Sequence, residues 1–197
     1  MGKFIAIYGV NNIGKSWHAK HIVERLNGLG KKAVYLKYPV YDIDPSGPFL
    51  NKTLRSGIEQ TISEEELQVW YALNRFQFQP ELKKLLEEND YVVAEDYAGT
   101  GICWGYTKGA DLDWLENLNS KFIAPELCIL MRGERKVCSV EKDHLHESNE
   151  DLLNKAAETL EMLADRYGWK RALRAEDYEV TKQKFWDILV ANDPSLG

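Results

Sequence analysis

The chain has 197 residues, 44% of them hydrophobic and 28% charged, with a formal net charge of −6. That is ordinary for a globular α/β domain large enough to bury a core, and the acidic balance disfavours a general nucleic-acid binder, which needs a basic surface. Cys103, Cys128 and Cys138 form no C-x-x-C pair, Cys138 with His144 and His146 fits no zinc spacing, and no apolar run approaches about 18 residues. The composition therefore suggests reduced thiols in a cytoplasmic protein, with no signal segment, membrane span or structural metal.

Residues 3–8 (KFIAIY) are a short β-rich run ending at Gly9, which suits a buried parallel strand. Gly9 to Ser16 then has the form G-x-x-x-x-G-K-S. Backbone N–H groups in such a loop can turn inward around phosphate oxygens, Lys15 adds a point charge, and Ser16 can offer its hydroxyl to Mg²⁺. Trp17, Ile22, Val23 and Leu26 fall at helical spacing over 15–28, closed by Gly28 and Gly30. Strand, glycine-rich turn and helix are the context a phosphate-binding loop requires, so phosphate binding is the first functional expectation.

Residues 32–37 (KAVYLK) read as a second strand, and the three prolines of Tyr38–Phe49 indicate an ordered loop. Ser63 with Glu66 forms a capping box that opens a long helix through Leu67, Trp70, Tyr71 and Asn74 to about Glu88, with Pro80 expected to kink or divide it. YVVAE (91–95) is a third strand running into Asp96 and Tyr97. Leu112–Leu118 suits a short helix, and ELCILM (126–131) a fourth strand. The stretch 132–147 is highly charged without an apolar period and reads as mobile. Leu152, Ala156, Leu160, Leu163 and Tyr167 mark one helix face stopped by Gly168; WKRAL (169–173) gives a fifth strand, and 178–191 a last helix. With no repeat or linker, residues 1–197 are expected to form one domain: α/β, three-layered, with a mostly parallel five-stranded sheet and helices on both faces.

Ligands on such sheets bind beyond the carboxyl ends of the strands. An acid at the end of strand three, Glu95 or Asp96, beside a phosphate loop could hold a metal-bound water or an acceptor hydroxyl; the bland alternative is a solvated turn. Tyr38, Tyr41, Phe49, Tyr71, Phe76, Tyr97, Trp104 and Tyr106 could stack on a nucleobase, though such a set is more often core. Arg75 is either an exposed helix residue or a bidentate clamp on an acceptor phosphate. In a phosphoryl-transfer enzyme the charged segment, with Arg132, Arg135, Lys136 and Lys142, would act as a lid that excludes water and brings positive charge to the transferring group.

Taken in order, FIAIYGVNNIGKS, Tyr38-Pro39, VWYALNRF (69–76), YVVAEDYAGTG, LDWLENLN and APELCILM resemble the thymidylate kinase family of nucleoside monophosphate kinases over nearly the whole chain. The resemblance implies the P-loop NTPase fold, a homodimer, and ATP-dependent phosphoryl transfer to a nucleoside monophosphate, most directly dTMP, with Mg²⁺ as cofactor and a small-molecule nucleotide rather than nucleic acid or membrane as partner. It assigns Gly9, Asn11, Asn12, Ile13, Gly14, Lys15, Ser16 and Trp17 to ATP. Ser16 and Glu95 go to the metal, and Lys15, Glu95 and Arg75 to catalysis. Tyr38, Tyr71, Arg75, Asp96, Thr100, Gly101 and Trp104 go to the acceptor, with Tyr71 stacking on the base. Three positions depart from the family pattern: Asp96 stands where the turn has an arginine, Tyr41 where an arginine follows the Phe-Pro step, and Trp17 where a threonine follows the loop serine. Losing two phosphate-binding cations and gaining an anion leaves two alternatives open, a deoxynucleoside kinase with a neutral acceptor and a nucleotide-binding P-loop protein without turnover.

Overall fold

The computed structural model describes residues 1–55, 61–134 and 150–197. Five strands, β1 (Lys3–Tyr8), β2 (Ala33–Lys37), β3 (Tyr91–Glu95), β4 (Leu127–Arg132) and β5 (Lys170–Leu173), pair in parallel in the order β2-β3-β1-β4-β5. β3 is buried along its whole length and β1 from Phe4 onward. Their sequences are accordingly unbroken apolar runs rather than alternating ones, as strands covered on both faces require. Each strand lies within about a residue of its expected position, the usual uncertainty of element ends.

α1 (Lys15–Gly28) and α7 (Tyr178–Asn192) pack together on one face of the sheet, while α3 (Glu64–Glu88), α4 (Ala98–Thr107) and α6 (Glu150–Tyr167) cover the other, with α2 (Ser46–Arg55) and α5 (Leu112–Asn119) against α3 and α4. β2 and β3 lie to one side of β1, and β4 and β5 to the other. Connections therefore diverge at the carboxyl ends of the central strands and leave a crevice there. Most of the 132–147 segment, including Arg135, Lys136 and Lys142, lies outside the described residues.

Three elements differ from the sequence expectation. The loop expected over Tyr38–Phe49 gives way to α2 at Ser46. Pro48 sits in the first turn of α2, where its missing N–H costs nothing, and Leu50 and Leu54 four residues apart drive the helix into the core. α3 runs unbroken through Pro80. The proline therefore does not divide the helix, and Leu82 and Leu86 beyond it belong to the main hydrophobic cluster with the sheet. α4, with the sequence AGTGICWGYT, was not expected. Its glycines are poor helix formers, yet they permit close packing: a Cβ at Gly99 would lie 2.7 Å from the Trp169 ring, and one at Gly105 2.7 Å from Leu115 Cδ2.

Asn74 joins the post-β2 loop to α3. Its amide Nδ2 donates to the Val40 carbonyl at 2.7 Å and to Ser46 Oγ at 3.0 Å, and its Oδ1 accepts from the Val40 N–H at 2.8 Å. The loop carrying Tyr38 and Tyr41 is thereby fixed to the helix carrying Tyr71 and Arg75.

On the other face, His18 of α1 is 1% exposed, stacks on Phe185 at 5.1 Å, and has no hydrogen-bond partner among the described residues at either ring nitrogen. Burial holds its pKa down at about 4 against an ordinary 6.5. The unfolded chain therefore binds the proton more readily than the folded one. Stability is full above the unfolded value and declines as pH falls toward the folded one. Urea unfolding at pH 7 and pH 5 is expected to show a loss of about 2 kcal/mol in the wild type beyond that in His18→Phe; equal losses in the two proteins would show that His18 is not held neutral.

Candidate active site

The crevice contains a cavity of about 380 Å³. Its floor is the loop between β1 and α1. Gly9 has φ +152° and Gly14 φ +112°, and a Cβ at Gly9 would fall 2.8 Å from the Met131 carbonyl oxygen, so a side chain there meets fixed backbone. Asn12, at φ 63°, is a residue type that tolerates the left-handed region. α1 starts from Gly14 with no side-chain cap and no acid in its first turn. Its leading N–H groups and its dipole thus present an anion-binding end to the cavity.

Lys15 is 5% exposed, and its Nζ donates to the carbonyls of Gly9 at 2.8 Å and Val10 at 3.1 Å, with Asp96 Oδ1 at 3.7 Å. Ser16 Oγ donates to Glu95 Oε1 at 2.8 Å, the Tyr35 hydroxyl donates to Glu95 Oε2, and Lys37 Nζ lies 3.3 Å from Oε1. The sheet itself sets this last contact, because Lys37 and Glu95 are register partners at the ends of β2 and β3.

Burial alone would raise the Glu95 carboxyl, but Lys37 and Lys15, helped by the two hydroxyls, hold it below the ordinary carboxylate range. Asp96 goes the other way. Burial and the neighbouring Glu95 charge raise it, and Lys15 and the Thr100 hydroxyl, which donates to Oδ1 at 2.7 Å, offset only part of that. Two adjacent carboxyls driven in opposite directions can take different roles. The Ser16 hydroxyl and the ionised Glu95 carboxylate form an oxygen donor set of the kind a hard divalent cation takes, and the uncapped helix end beside them suits phosphate oxygens; the residues fit Mg²⁺ and a polyphosphate.

The far end of the cavity is walled by α3 and α4. Arg75 is 3% exposed, with Nε and Nη2 buried and without a hydrogen-bond partner among the described residues, and burial pulls its pKa down to about 10. Its surroundings are aromatic: Phe122 lies 5.5 Å away, and Tyr38 and Tyr97 pack edge to face at 4.9 Å nearby. An unpaired guanidinium in such a place costs several kcal/mol unless an anion or acceptor enters the cavity.

The structure brings most of the expected residues together. Asn11, Asn12, Gly14, Lys15, Ser16 and Trp17 line the cavity, as do Tyr38, Tyr71, Arg75, Glu95, Asp96, Thr100, Gly101 and Trp104. Ile13 does not; its side chain is 2% exposed in the core. Gly9 contributes backbone behind the lining. Arg132 ends β4 and pairs with Glu161 at 2.5 Å rather than facing the cavity. Of the eight aromatics considered, Phe49 stacks on Trp70, and Phe76 and Tyr106 are exposed. Lys37, Asn74 and Arg55 also line the cavity and were not singled out as site residues. For Lys37 a signal was present, a lysine at the end of a strand whose parallel neighbour ends in an acid; Arg55 lies on a helix the sequence did not reveal.

The family model described as thymidylate kinase matches residues 7–184. The chain is 27% identical over 173 residues to a thymidylate kinase of Plasmodium falciparum, covering 85% of this chain and 80% of that protein. It is 24% identical over 132 residues to the human thymidylate kinase, covering 66% and 61%. Among solved structures, the thymidylate kinase of Candida albicans superposes with a TM-score of 0.81 at 17% identity, covering 100% of this chain and 94% of that one.

If Lys37 is the main source of the depressed Glu95 pKa, a carboxyl-carbon NMR titration will place Glu95 below the ordinary value in the wild type and higher in Lys37→Met. Its charge then stabilises the fold above the unfolded-state pKa, and that contribution disappears as pH falls through the folded one. An unmoved Glu95 titration in the variant would assign the depression to Lys15 and the hydroxyls.

Proposed function

The chain belongs to the thymidylate kinase family, and from that premise we propose that it transfers the terminal phosphoryl group of ATP to the 5′-phosphate of a nucleoside monophosphate, dTMP above all. Arg75 carries the reading. Its guanidinium is buried in the wall of a cavity of nucleotide dimensions, two of its nitrogens bond to none of the described residues, and such a charge calls for an anionic ligand.

In this reading the donor phosphates lie over the Gly9–Ser16 loop, and Lys15 turns from the Gly9 and Val10 carbonyls to their oxygens. Ser16 and Glu95 would hold Mg²⁺, which when bound neutralises charge on the donor phosphate oxygens. Arg75 holds the acceptor phosphate, and Tyr71, with Tyr38, Thr100, Gly101 and Trp104, encloses base and sugar. An acceptor phosphate already carries a nucleophilic oxygen, so positioning and electrostatics suffice and no general base is needed. The proposal extends to a single kinase domain acting as a cytoplasmic homodimer on small-molecule nucleotides, without nucleic-acid or membrane partners; no described helix is long and apolar enough to cross a membrane.

One observation favours a second reading. The Asp96 carboxyl lines the same cavity where the family pattern has an arginine, and burial raises it above its ordinary value, which suits a base near an uncharged hydroxyl better than a phosphate neighbour. The two readings separate in one assay, ADP formation from ATP–Mg²⁺ against a panel of nucleosides and nucleoside monophosphates. Stimulation by dTMP, lost by about a hundredfold or more in Lys15→Ala, is the expected result. Stimulation by thymidine alone supports the nucleoside kinase, and nucleotide binding with no transfer to any acceptor contradicts both.

A further inference from the structure

The strand-end wall of the cavity carries two acid–lysine pairs, and the two lysines are held differently. Lys15 is 5% exposed, and its Nζ donates to the Gly9 and Val10 carbonyls while lying 3.7 Å from Asp96 Oδ1. Lys37, the last residue of β2, also lines the cavity, but its side chain is 47% exposed, with Nζ 3.3 Å from Glu95 Oε1. The root of the Lys37 side chain is fixed and its tip can turn. β2 and β3 pair Lys37 with Glu95, and the next residue, Tyr38, donates its N–H to the Glu95 carbonyl at 3.0 Å. Beyond that anchored backbone, a flexible four-carbon stem lets the ammonium change partners without moving the strand.

Glu95 Oε1 is a contested atom. It accepts from Ser16 Oγ at 2.8 Å as well as facing Lys37, and Ser16 with Glu95 is the oxygen pair that suits a divalent cation. An ammonium and a divalent cation at one carboxylate oxygen repel each other, so Lys37 leaves Oε1 when that pair takes a metal. The cavity it lines is where the ammonium can go. Positive charge is wanted there, because Asp96 and Tyr41 stand where the family pattern has arginines. Arg75 belongs to the helix wall, and Lys15 in the kinase reading serves the donor phosphates. Lys37 is the cation that β2 brings to the acceptor side.

We propose that Lys37 is an exchangeable cation: it pairs with Glu95 before Mg²⁺ is bound and turns to the acceptor's 5′-phosphate once Ser16 and Glu95 hold the metal. It thereby supplies from β2 one of the charges that Asp96 and Tyr41 do not. The proposal rests on the kinase reading above. It couples the two sites, since the acceptor phosphate gains this cation only when the donor side is loaded.

The test is calorimetric titration of dTMP and of thymidine into wild type, Lys37→Met and Lys37→Arg, each without nucleotide and each saturated with Mg²⁺ and a non-hydrolysable ATP analogue, with ADP formation from ATP followed alongside. In the loaded state Lys37→Met is expected to bind dTMP about tenfold more weakly than wild type, as for loss of one charge-assisted contact, with thymidine binding little changed. Without nucleotide the two proteins are expected to differ far less for dTMP, because Lys37 is then engaged with Glu95. Lys37→Arg keeps the charge and recovers part of the loaded-state loss. A second measurement needs no variant: the Lys37 ε-methylene NMR signal of the wild type is expected to shift when dTMP is added to the loaded protein and to stay in place in the unloaded one. Equal loaded-state dTMP affinity in Lys37→Met and wild type, a loss of the same size with and without nucleotide, an equal loss for thymidine, or an ε-methylene signal that ignores dTMP in the loaded protein overturns the exchange and leaves the kinase reading intact. A selective, nucleotide-dependent loss with no ADP formed by the wild type upholds the exchange and overturns the kinase reading. A wild type that binds neither dTMP nor thymidine overturns both.

Discussion

A positive charge with nowhere to go organises the site. Arg75 projects from α3 into a pocket of aromatic side chains, and two of its nitrogens find no acceptor among the described residues. Folding could tolerate such a group if a partner arrived from solution, and Arg75 lines the cavity where one would enter. The rest of the helix wall serves that geometry. Ser63 starts α3 by accepting from the Glu66 N–H at 3.1 Å, Leu82 and Leu86 beyond Pro80 bury the continuing helix in the core, and Asn74 locks the neighbouring loop in place. Gly101 leaves room: a Cβ there would come within 3.4 Å of both terminal nitrogens of Arg75.

Opposite this wall stands a compact network at the strand ends. Glu95 joins β3 to β2 through Lys37 and Tyr35 and to the phosphate loop through Ser16. Because the partners come from β2, β3 and the start of α1, the sheet register fixes the spacing between the site's acid and its loop. Asp96 follows in the left-handed region at φ 61°, which turns its carboxyl toward Thr100 and Lys15. A cation at this position would add to the pull on a second phosphate, whereas the carboxyl removes part of it.

The sequence made the sheet and the phosphate loop legible because both rest on local rules. Unbroken apolar runs have few alternatives to buried strands, and G-x-x-x-x-G-K-S between a strand and a helix has a mechanism behind every fixed position. The acid at the end of β3 could be read for the same reason. α4 could not, since its glycines argue against a helix until Trp169 and Leu115 are seen to require them. Nor could α2, because Pro45 and Pro48 mask a helix that begins between them. Missing α2 meant missing Arg55, and missing the β2–β3 register meant missing the Lys37 contact. Trp17 departs from the family pattern at the loop, and it packs among His18, His21 and Tyr178, at centroid distances of 4.8, 5.8 and 5.0 Å.

The central claim is that the buried Arg75 guanidinium takes its missing partner from the acceptor nucleotide. It is tested most directly by following the Arg75 Nε–H resonance during titration with dTMP. A downfield shift of that proton, with slower exchange at saturation, is the predicted result, because a new charge-assisted hydrogen bond both deshields and protects it. An Nε–H signal unchanged by saturating dTMP would contradict the claim and leave the buried charge without a role in acceptor binding.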